Sequence, residues 1–193
     1  MATAIEPRTS IEPTRYRFTA EEYHLMGEAG IFTEDDRVEL IEGDVIQMAP
    51  VGDPHINAVD RLNEVFVLAV AGKARVSVQN PVRLSQHSEP EPDLLILRRE
   101  SFGRAGRPED VLVLVEVSDT TLRYDRDTKL PLYARHGIPH LLNIEITAGA
   151  VVHYFEPHDG GYGQHTRYVR GERLTLEILP SVSISINVDD LFT

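Results

Sequence analysis

The feature that most constrains the fold is the run Val111–Val117, which is apolar on both faces apart from one glutamate. A strand that is apolar on both faces belongs at the centre of a sheet covered on two sides. Glu116 interrupts the run near its end, and an isolated ionised carboxylate there costs several kcal/mol unless it is paired or bound to a metal. The sequence therefore predicts a buried central strand and a group that compensates Glu116.

Periodicity and turn residues predict the elements around this strand. Helices are expected from the capping-box pattern Thr19–Glu22 to Gly27 or Gly30, from Asp53 to Gly72, and from Tyr124 to His136. Arg37–Met48 is expected to form a hairpin. Further strands are expected at Ala74–Val78, Val82–Leu84, Asp93–Leu97, His140–Ile146, Val151–Phe155, around Tyr168 and at Leu174–Ile178. This order predicts one α/β domain with a mixed sheet.

Length and charge limit the class of protein. The 193 residues fit one domain over residues 18–193, preceded by a flexible, proline-containing arm over residues 1–17. The longest apolar run, Val65–Ala71, is too short to span a membrane, and no signal peptide precedes it, so we expect a cytoplasmic protein. The net charge of −12 disfavours non-specific binding of nucleic acid, which would need a local basic patch or metal ions.

Two carboxylates are the first candidates for chemistry. Asp93 begins an apolar strand, and Glu116 lies near the end of the central one. If these strands are neighbours, both acids lie at one end of the sheet and form a site for a hard cation, Mg²⁺ or Mn²⁺. The alternatives are turn formation after Pro92 for Asp93 and a salt bridge to an arginine for Glu116.

Other candidates surround this pair. Lys129, on the following helix, could position or deprotonate a water molecule and stabilise charge on a phosphate, or could pair with Asp125 four residues earlier. Glu39 could complete the metal site or face solvent. His55 could touch a phosphate or be a surface histidine. Tyr133 is interpreted as a packing residue.

The remaining histidines do not form a metal site by spacing. His136 and His140 are separated by a glycine and a proline, so they cannot share a helical face. His153, His158 and His165 are expected to face solvent. Residue types and spacing alone thus leave an α/β domain with a candidate divalent-metal site.

Four segments add a family resemblance: Arg37–Gly43, Pro92–Leu94, Val115–Asp125 and Lys129–Ile138. They resemble the Uma2 family of candidate restriction endonucleases, also described as domain of unknown function 820, over nearly the whole chain from about residue 18. The resemblance implies a restriction-endonuclease-like fold of the PD-(D/E)xK type, with a mixed central sheet flanked by helices. Additional antiparallel strands are expected in the C-terminal part.

The resemblance also implies roles for site residues. It implies a metal-dependent phosphodiesterase in which Asp93 and Glu116 hold the ion. The wider superfamily has a lysine two residues after the glutamate, where this chain has Ser118; the family's lysine on the following helix corresponds to Lys129. Glu39 matches a glutamate from the N-terminal part of the fold. The strand His140–Glu145 departs from the family pattern, which puts any role of its acid in doubt.

These inferences lead to a hypothesis, a Mg²⁺- or Mn²⁺-dependent DNA endonuclease that acts as a homodimer. DNA is expected to reach the site through local arginines, with candidates Arg98, Arg99, Arg104, Arg107, Arg123 and Arg126. The main alternative is a non-catalytic module that keeps the nuclease fold for binding or dimerisation. A third reading, a metal-dependent hydrolase of small substrates, would require a deep closed pocket.

Overall fold

The structure is a computed structural model that describes residues 14–33, 35–119, 122–180 and 182–192. Most of the expected N-terminal arm, residues 1–13, lies outside the described residues, and residues 14–17 form neither helix nor strand. Helix α1 (Ala20–Glu28) begins with the expected capping box, in which the Thr19 hydroxyl and the Glu22 carboxylate each accept the other residue's backbone N–H. The division of the chain into an arm and one domain stays a prediction.

The described residues form ten strands. Six of them make a mixed central sheet in the order β3-β4-β5-β6-β7-β8, and β1-β2 and β9-β10 form separate antiparallel hairpins. The strands are β1 (Val38–Ile41), β2 (Asp44–Gln47), β3 (Ala74–Val78), β4 (Leu94–Arg98), β5 (Val111–Ser118), β6 (His140–Glu145), β7 (Ala150–His158), β8 (Gly161–Val169), β9 (Arg173–Leu179) and β10 (Val182–Asn187). The mixed α+β fold expected from the sequence is confirmed.

Strand β5 is the buried centre of this sheet, as its sequence predicts. All its residues are buried, and it pairs antiparallel with β4 and parallel with β6. Val115 and Val117 belong to the hydrophobic cluster that contains the β9-β10 hairpin, whereas Leu114 belongs to the cluster on the other face. Because side chains alternate along a strand, Glu116 lies on the same face as Leu114.

Helix α2 (Asp53–Val70) covers the first of these faces. Pro54 occupies the first turn, where its missing N–H costs no hydrogen bond, and Ala58, Leu62 and Phe66 repeat at helical spacing on the buried side. The helix ends at Ala71 and Gly72, both in the left-handed conformation. None of the helices in the described ranges is both long and apolar enough to cross a membrane.

Helix α3 covers the second face and contains a wide turn. It consists of an α-helical turn (Leu122–Tyr124), a π-helical segment (Asp125–Lys129) and an α-helical segment (Leu130–Arg135). Pro131 has no backbone N–H, so it cannot donate to the carbonyl four residues earlier. The N–H of the preceding residue, Leu130, donates to the Asp125 carbonyl five residues back, which is the hydrogen bond of a π-helix. This turn places Lys129 on the buried side of the helix.

The structure differs from three expectations. Val82–Leu84 is no strand: the segment between Pro81 and Pro90 forms loop contacts and isolated bridges, one of them from Val82 to Gly106. Strand β10 was not expected. His153 was expected to face solvent but is buried, whereas His158 and His165 are exposed.

Candidate active site

The register of β4 and β5 brings Asp93 next to the end of the central strand. Leu94 lies opposite Val115, so Asp93 is adjacent to the Glu116–Val117 step. The Val117 N–H donates a hydrogen bond of 2.8 Å to Asp93 Oδ2. The strands are thus neighbours, and the two acids lie at the same end of the sheet.

His55 holds the other oxygen of Asp93. It lies in the first turn of α2, is buried, and its Nε2 is 3.0 Å from Asp93 Oδ1. Its Nδ1 is buried without a hydrogen-bond partner among the described residues, so Nε2 is the ring nitrogen that donates to Asp93. His55 is therefore no surface histidine, and each Asp93 oxygen accepts one hydrogen bond and keeps a lone pair for another ligand.

Lys129 lies between two buried carboxylates. Its Nζ is 3.0 Å from Glu39 Oε2 and 3.2 Å from Glu116 Oε1. Burial by itself would lower the pKa of the ammonium group, but the charges of Glu116 and Glu39 outweigh it and raise the pKa above its ordinary value. The ammonium group is consequently protonated at neutral pH.

Glu116 is held by Tyr133 as well as by Lys129. The Tyr133 hydroxyl donates a 2.5 Å hydrogen bond to Glu116 Oε1, the same oxygen that faces Lys129. Burial, with a smaller contribution from the charges of Asp125 and Asp93, raises the pKa of Glu116 to about 8 against the opposing effects of Lys129 and Tyr133. Tyr133 was expected only to pack, and it also orients this carboxylate.

Glu39 reaches the site from β1, and it does not face solvent. It is 1% exposed, and the Glu91 N–H lies 3.4 Å from its Oε2. The hairpin is fastened at this point, because Leu40 bridges to Glu89. From the sequence, Glu39 lies on the face of β1 opposite Leu40, and that face could be turned to the metal site or to solvent. The contact with Lys129 shows that Glu39 faces the site.

A cavity of about 630 Å³ joins these side chains. Its apolar wall includes Ile46, Met48 and Val51, from β2 and the segment before α2. The ionisable residues that line it are Arg37, Glu39, His55, Glu91, Asp93, Glu116, Asp119, Tyr124, Asp125 and Lys129. Glu91 also lines the cavity, and burial raises the pKa of its carboxyl group. The sequence analysis missed this residue, although it lies two residues before Asp93.

Ser118 ends strand β5, two residues after Glu116. Its Oγ is 2.8 Å from Asp125 Oδ2 and 2.9 Å from Asn143 Oδ1. The hydroxyl has one proton and donates it to only one of these oxygens at a time. Its position between Asp125 and Asn143 connects the wide turn of α3 to strand β6. The nearby cation comes from Lys129, one element later in the chain.

The candidate DNA-binding arginines fall into two groups. Arg98 and Arg99 follow the end of β4 that lies opposite Asp93, and Arg104 and Arg107 lie in the loop beyond them. Arg123 and Arg126 are on α3 near the cavity, and both are paired with Asp127. Only the second group lies beside the carboxylates.

The donor set fits a hard cation with few protein ligands. Among the described residues, no group of three or more acids and histidines has the spacing of a complete metal site. Mg²⁺, however, is usually bound through one or two carboxylates and keeps several water molecules. Asp93 and Glu116 provide this number, and both line the cavity.

The fold and the site together define a mixed α+β protein with a cavity lined by carboxylates and a buried lysine. A family model described as "Putative restriction endonuclease", Uma2, matches residues 20–188. The chain therefore belongs to the Uma2 family, as its motifs predict. No curated protein matches the sequence.

A solved structure has a similar fold. It is a protein from Anabaena variabilis ATCC 29413 described as a putative nuclease belonging to DUF820. The two chains superpose with a TM-score of 0.66 over 86% of this chain and 96% of the other, at 15% sequence identity. At this identity the likeness concerns the fold alone.

Proposed function

We propose that this protein is a metal-dependent endonuclease that hydrolyses phosphodiester bonds of DNA. The observation that carries the proposal is the convergence of Asp93, Glu116 and Lys129 on one cavity. Membership of a family described as restriction endonucleases supports the choice of reaction. Most of the charged residues that line the cavity are acids, and the whole chain has a net charge of −12. A negatively charged phosphate in this cavity would therefore need a bound cation beside it.

Asp93 and Glu116 would hold the divalent ion. Asp93 is fixed by hydrogen bonds to both oxygens, and the contacts of Glu116 from Tyr133 and Lys129 go to Oε1. When bound, Mg²⁺ or Mn²⁺ supplies Lewis-acid polarisation of a phosphoryl oxygen and a more acidic water molecule. The protein's contribution is to keep both carboxylates in place before the substrate arrives.

Lys129 would stabilise charge on the phosphate. A protonated ammonium group accepts no proton, so the raised pKa of Lys129 argues against the role of a base. Its positive charge, placed beside the metal-binding carboxylates, favours the transition state in which negative charge grows on the phosphoryl oxygens. Glu39 would act through Lys129 by holding the ammonium group at this position.

Nicking of supercoiled plasmid in Mg²⁺ or Mn²⁺ tests the proposal. We expect wild-type protein to nick the plasmid, and EDTA to stop the reaction. Glu116→Gln and Lys129→Met should each lower the rate at least about 100-fold, since each removes several kcal/mol of transition-state stabilisation. Glu64→Gln, on the exposed side of α2, is the matched control and should nick like the wild type.

Two results would contradict the proposal. Nicking that survives both substitutions would come from a contaminant. A folded wild-type protein that nicks no plasmid with either metal would favour the alternative, a nuclease fold kept for binding or dimerisation.

A further inference from the structure

An exposed aromatic residue flanked by arginines lies at the end of the sheet opposite the cavity. Phe102 follows β4 and the short turn after it, and its side chain is 59% exposed. The guanidinium carbons of Arg75 and Arg99 are 5.6 and 5.4 Å from the centre of its ring. We call Phe102, Arg75 and Arg99 the Arg–Phe patch.

The charges of this patch are not compensated by acids. In the described part of the chain, Arg75, Arg98 and Arg99 make no ion pair; the salt bridge of this region joins Arg104 to Asp110. Arg99 donates to the Gly72 carbonyl at 2.6 Å and Arg75 to the Arg104 carbonyl at 3.3 Å, and neither acceptor carries a charge. The patch is therefore a local excess of positive charge on a chain with a net charge of −12.

Guanidinium groups and an exposed aromatic ring select a particular ligand. Guanidinium groups bind phosphates, and aromatic side chains stack on nucleobases. In a duplex the base faces are already stacked on each other, whereas in a single strand they are free to contact an aromatic ring. The combination thus fits a single strand better than a duplex.

We infer that the Arg–Phe patch binds single-stranded nucleic acid, with its arginines on phosphates and Phe102 stacked on a base. The inference rests on the proposed function, because it assigns to the same nuclease a second contact with its substrate. Strand β4 separates Asp93 from Arg98, a distance of about 16 Å at 3.3 Å per residue.

Fluorescence anisotropy in EDTA, where no cleavage occurs, tests this inference. The probes are a labelled 20-nucleotide oligothymidylate and a labelled 20-base-pair duplex. We expect the wild type to bind the single strand more tightly, and Phe102→Ala to weaken that binding roughly 5- to 100-fold through loss of one stacked base. Leu68→Ala removes a side chain that is 72% exposed on α2, and should leave binding unchanged.

The arginines are tested by salt dependence. Replacement of Arg75 and Arg99 by alanine together should reduce the slope of log affinity against log salt by about 1.4, which corresponds to two phosphate contacts on a single strand. Arg173→Ala, on the exposed side of β9, is the control and should keep the wild-type slope.

Several outcomes overturn the inference: no binding of the single strand by wild-type protein, a preference for the duplex, or wild-type affinity in Phe102→Ala. If the wild type nicks plasmid while the patch variants bind normally, the endonuclease proposal stands and the inference fails. If binding depends on Phe102 but no metal supports nicking, the inference stands and the endonuclease proposal fails.

Discussion

At the scale of single residues, the site depends on side chains that orient other side chains. Tyr133 and His55 each donate to a carboxylate that faces the cavity, Tyr133 to Glu116 and His55 to Asp93. Their effect is to fix the direction of each carboxylate, and residues that orient metal-binding groups in this way matter for affinity and rate.

Tyr133→Phe isolates this effect because it removes only the hydroxyl group. We expect plasmid nicking to fall roughly 10- to 100-fold, together with about 1 kcal/mol or more of stability. Tyr162→Phe is a matched control, since the Tyr162 hydroxyl donates to the Ile138 carbonyl away from the acids. It should lose a similar amount of stability and keep its activity; equal loss of activity in both variants would mean that Tyr133 has only a structural role. Initial rates and urea unfolding measure the two quantities.

The sequence indicates the acids and the lysine more readily than the residues that orient them. Glu116 is conspicuous because a charge in an apolar strand demands a partner, and Lys129 is one of two lysines in the chain. A tyrosine on the buried face of a helix looks like any packing residue until the strand beneath it is known. The roles of Tyr133 and His55 depend on contacts between distant segments, which spacing along the chain does not reveal.

At the scale of elements, the β6-β7 pair contains a pair of histidines, of which His153 is buried and His140 is half-buried. His153 Nε2 is 3.1 Å from His140 Nδ1, and the His153 ring stacks on Phe155 with 4.9 Å between centres. Burial, together with the smaller effect of His140, lowers the pKa of His153 to about 4. Folding therefore favours the neutral form of His153.

The pH dependence of stability follows from this shift. Between pH 6.5 and 4 the unfolded chain binds a proton that the folded chain does not, so His153 contributes full stability above about pH 6.5 and loses it as the pH falls. The loss is at most roughly 3 kcal/mol by pH 4. Urea unfolding at pH 7 and pH 4.5 should show a weaker pH dependence for His153→Leu than for the wild type. His165→Leu, at an exposed position of β8, should behave like the wild type; if His153→Leu does so too, this account of His153 is wrong.

The elements that the sequence predicts well are those with one dominant pattern. β5 and α2 follow from an apolar run and a helical repeat. Strand β10 carries the same kind of signal, because Val182, Ile184 and Ile186 alternate with polar residues and are buried. Only its hairpin partner, β9, was expected as a strand. Val82–Leu84 has strand-like residues but lies between prolines, and its backbone bonds go to loop partners such as Pro90 and Ser88.

At the scale of the whole molecule, binding of an ion at the proposed site would be coupled to folding, because the acids come from segments far apart in the chain. A ligand that binds only the folded state at 100 times its Kd stabilises it by about 2.7 kcal/mol. For a chain of this length we expect Mn²⁺ to raise Tm by roughly 5–10 °C. Thermal unfolding with and without Mn²⁺ should show this rise in the wild type and in Glu64→Gln, and none in Asp93→Asn. An equal rise in Asp93→Asn would mean that the ion binds elsewhere.

The expected homodimer and the cytoplasmic location also belong to this scale, and both stay predictions. The family and the mixed sheet could be predicted from the sequence because local patterns and short motifs indicate both. The cavity could not, because its walls come from β1, β2, the start of α2, β5 and α3, which meet only in the folded chain.

The wide turn of α3 has a consequence for how proteins of this kind are recognised. The backbone N–H of Leu130 donates to a carbonyl five residues back, so the helix is locally of the π type. The position of the Lys129 ammonium group therefore depends on the local helix type as well as on the number of residues between Glu116 and Lys129. A homologous chain with one residue more or fewer in this turn could deliver its amine to the same spot by changing the local helix type. A pattern with a fixed interval between the strand acid and the lysine would therefore pass over genuine members of such a group.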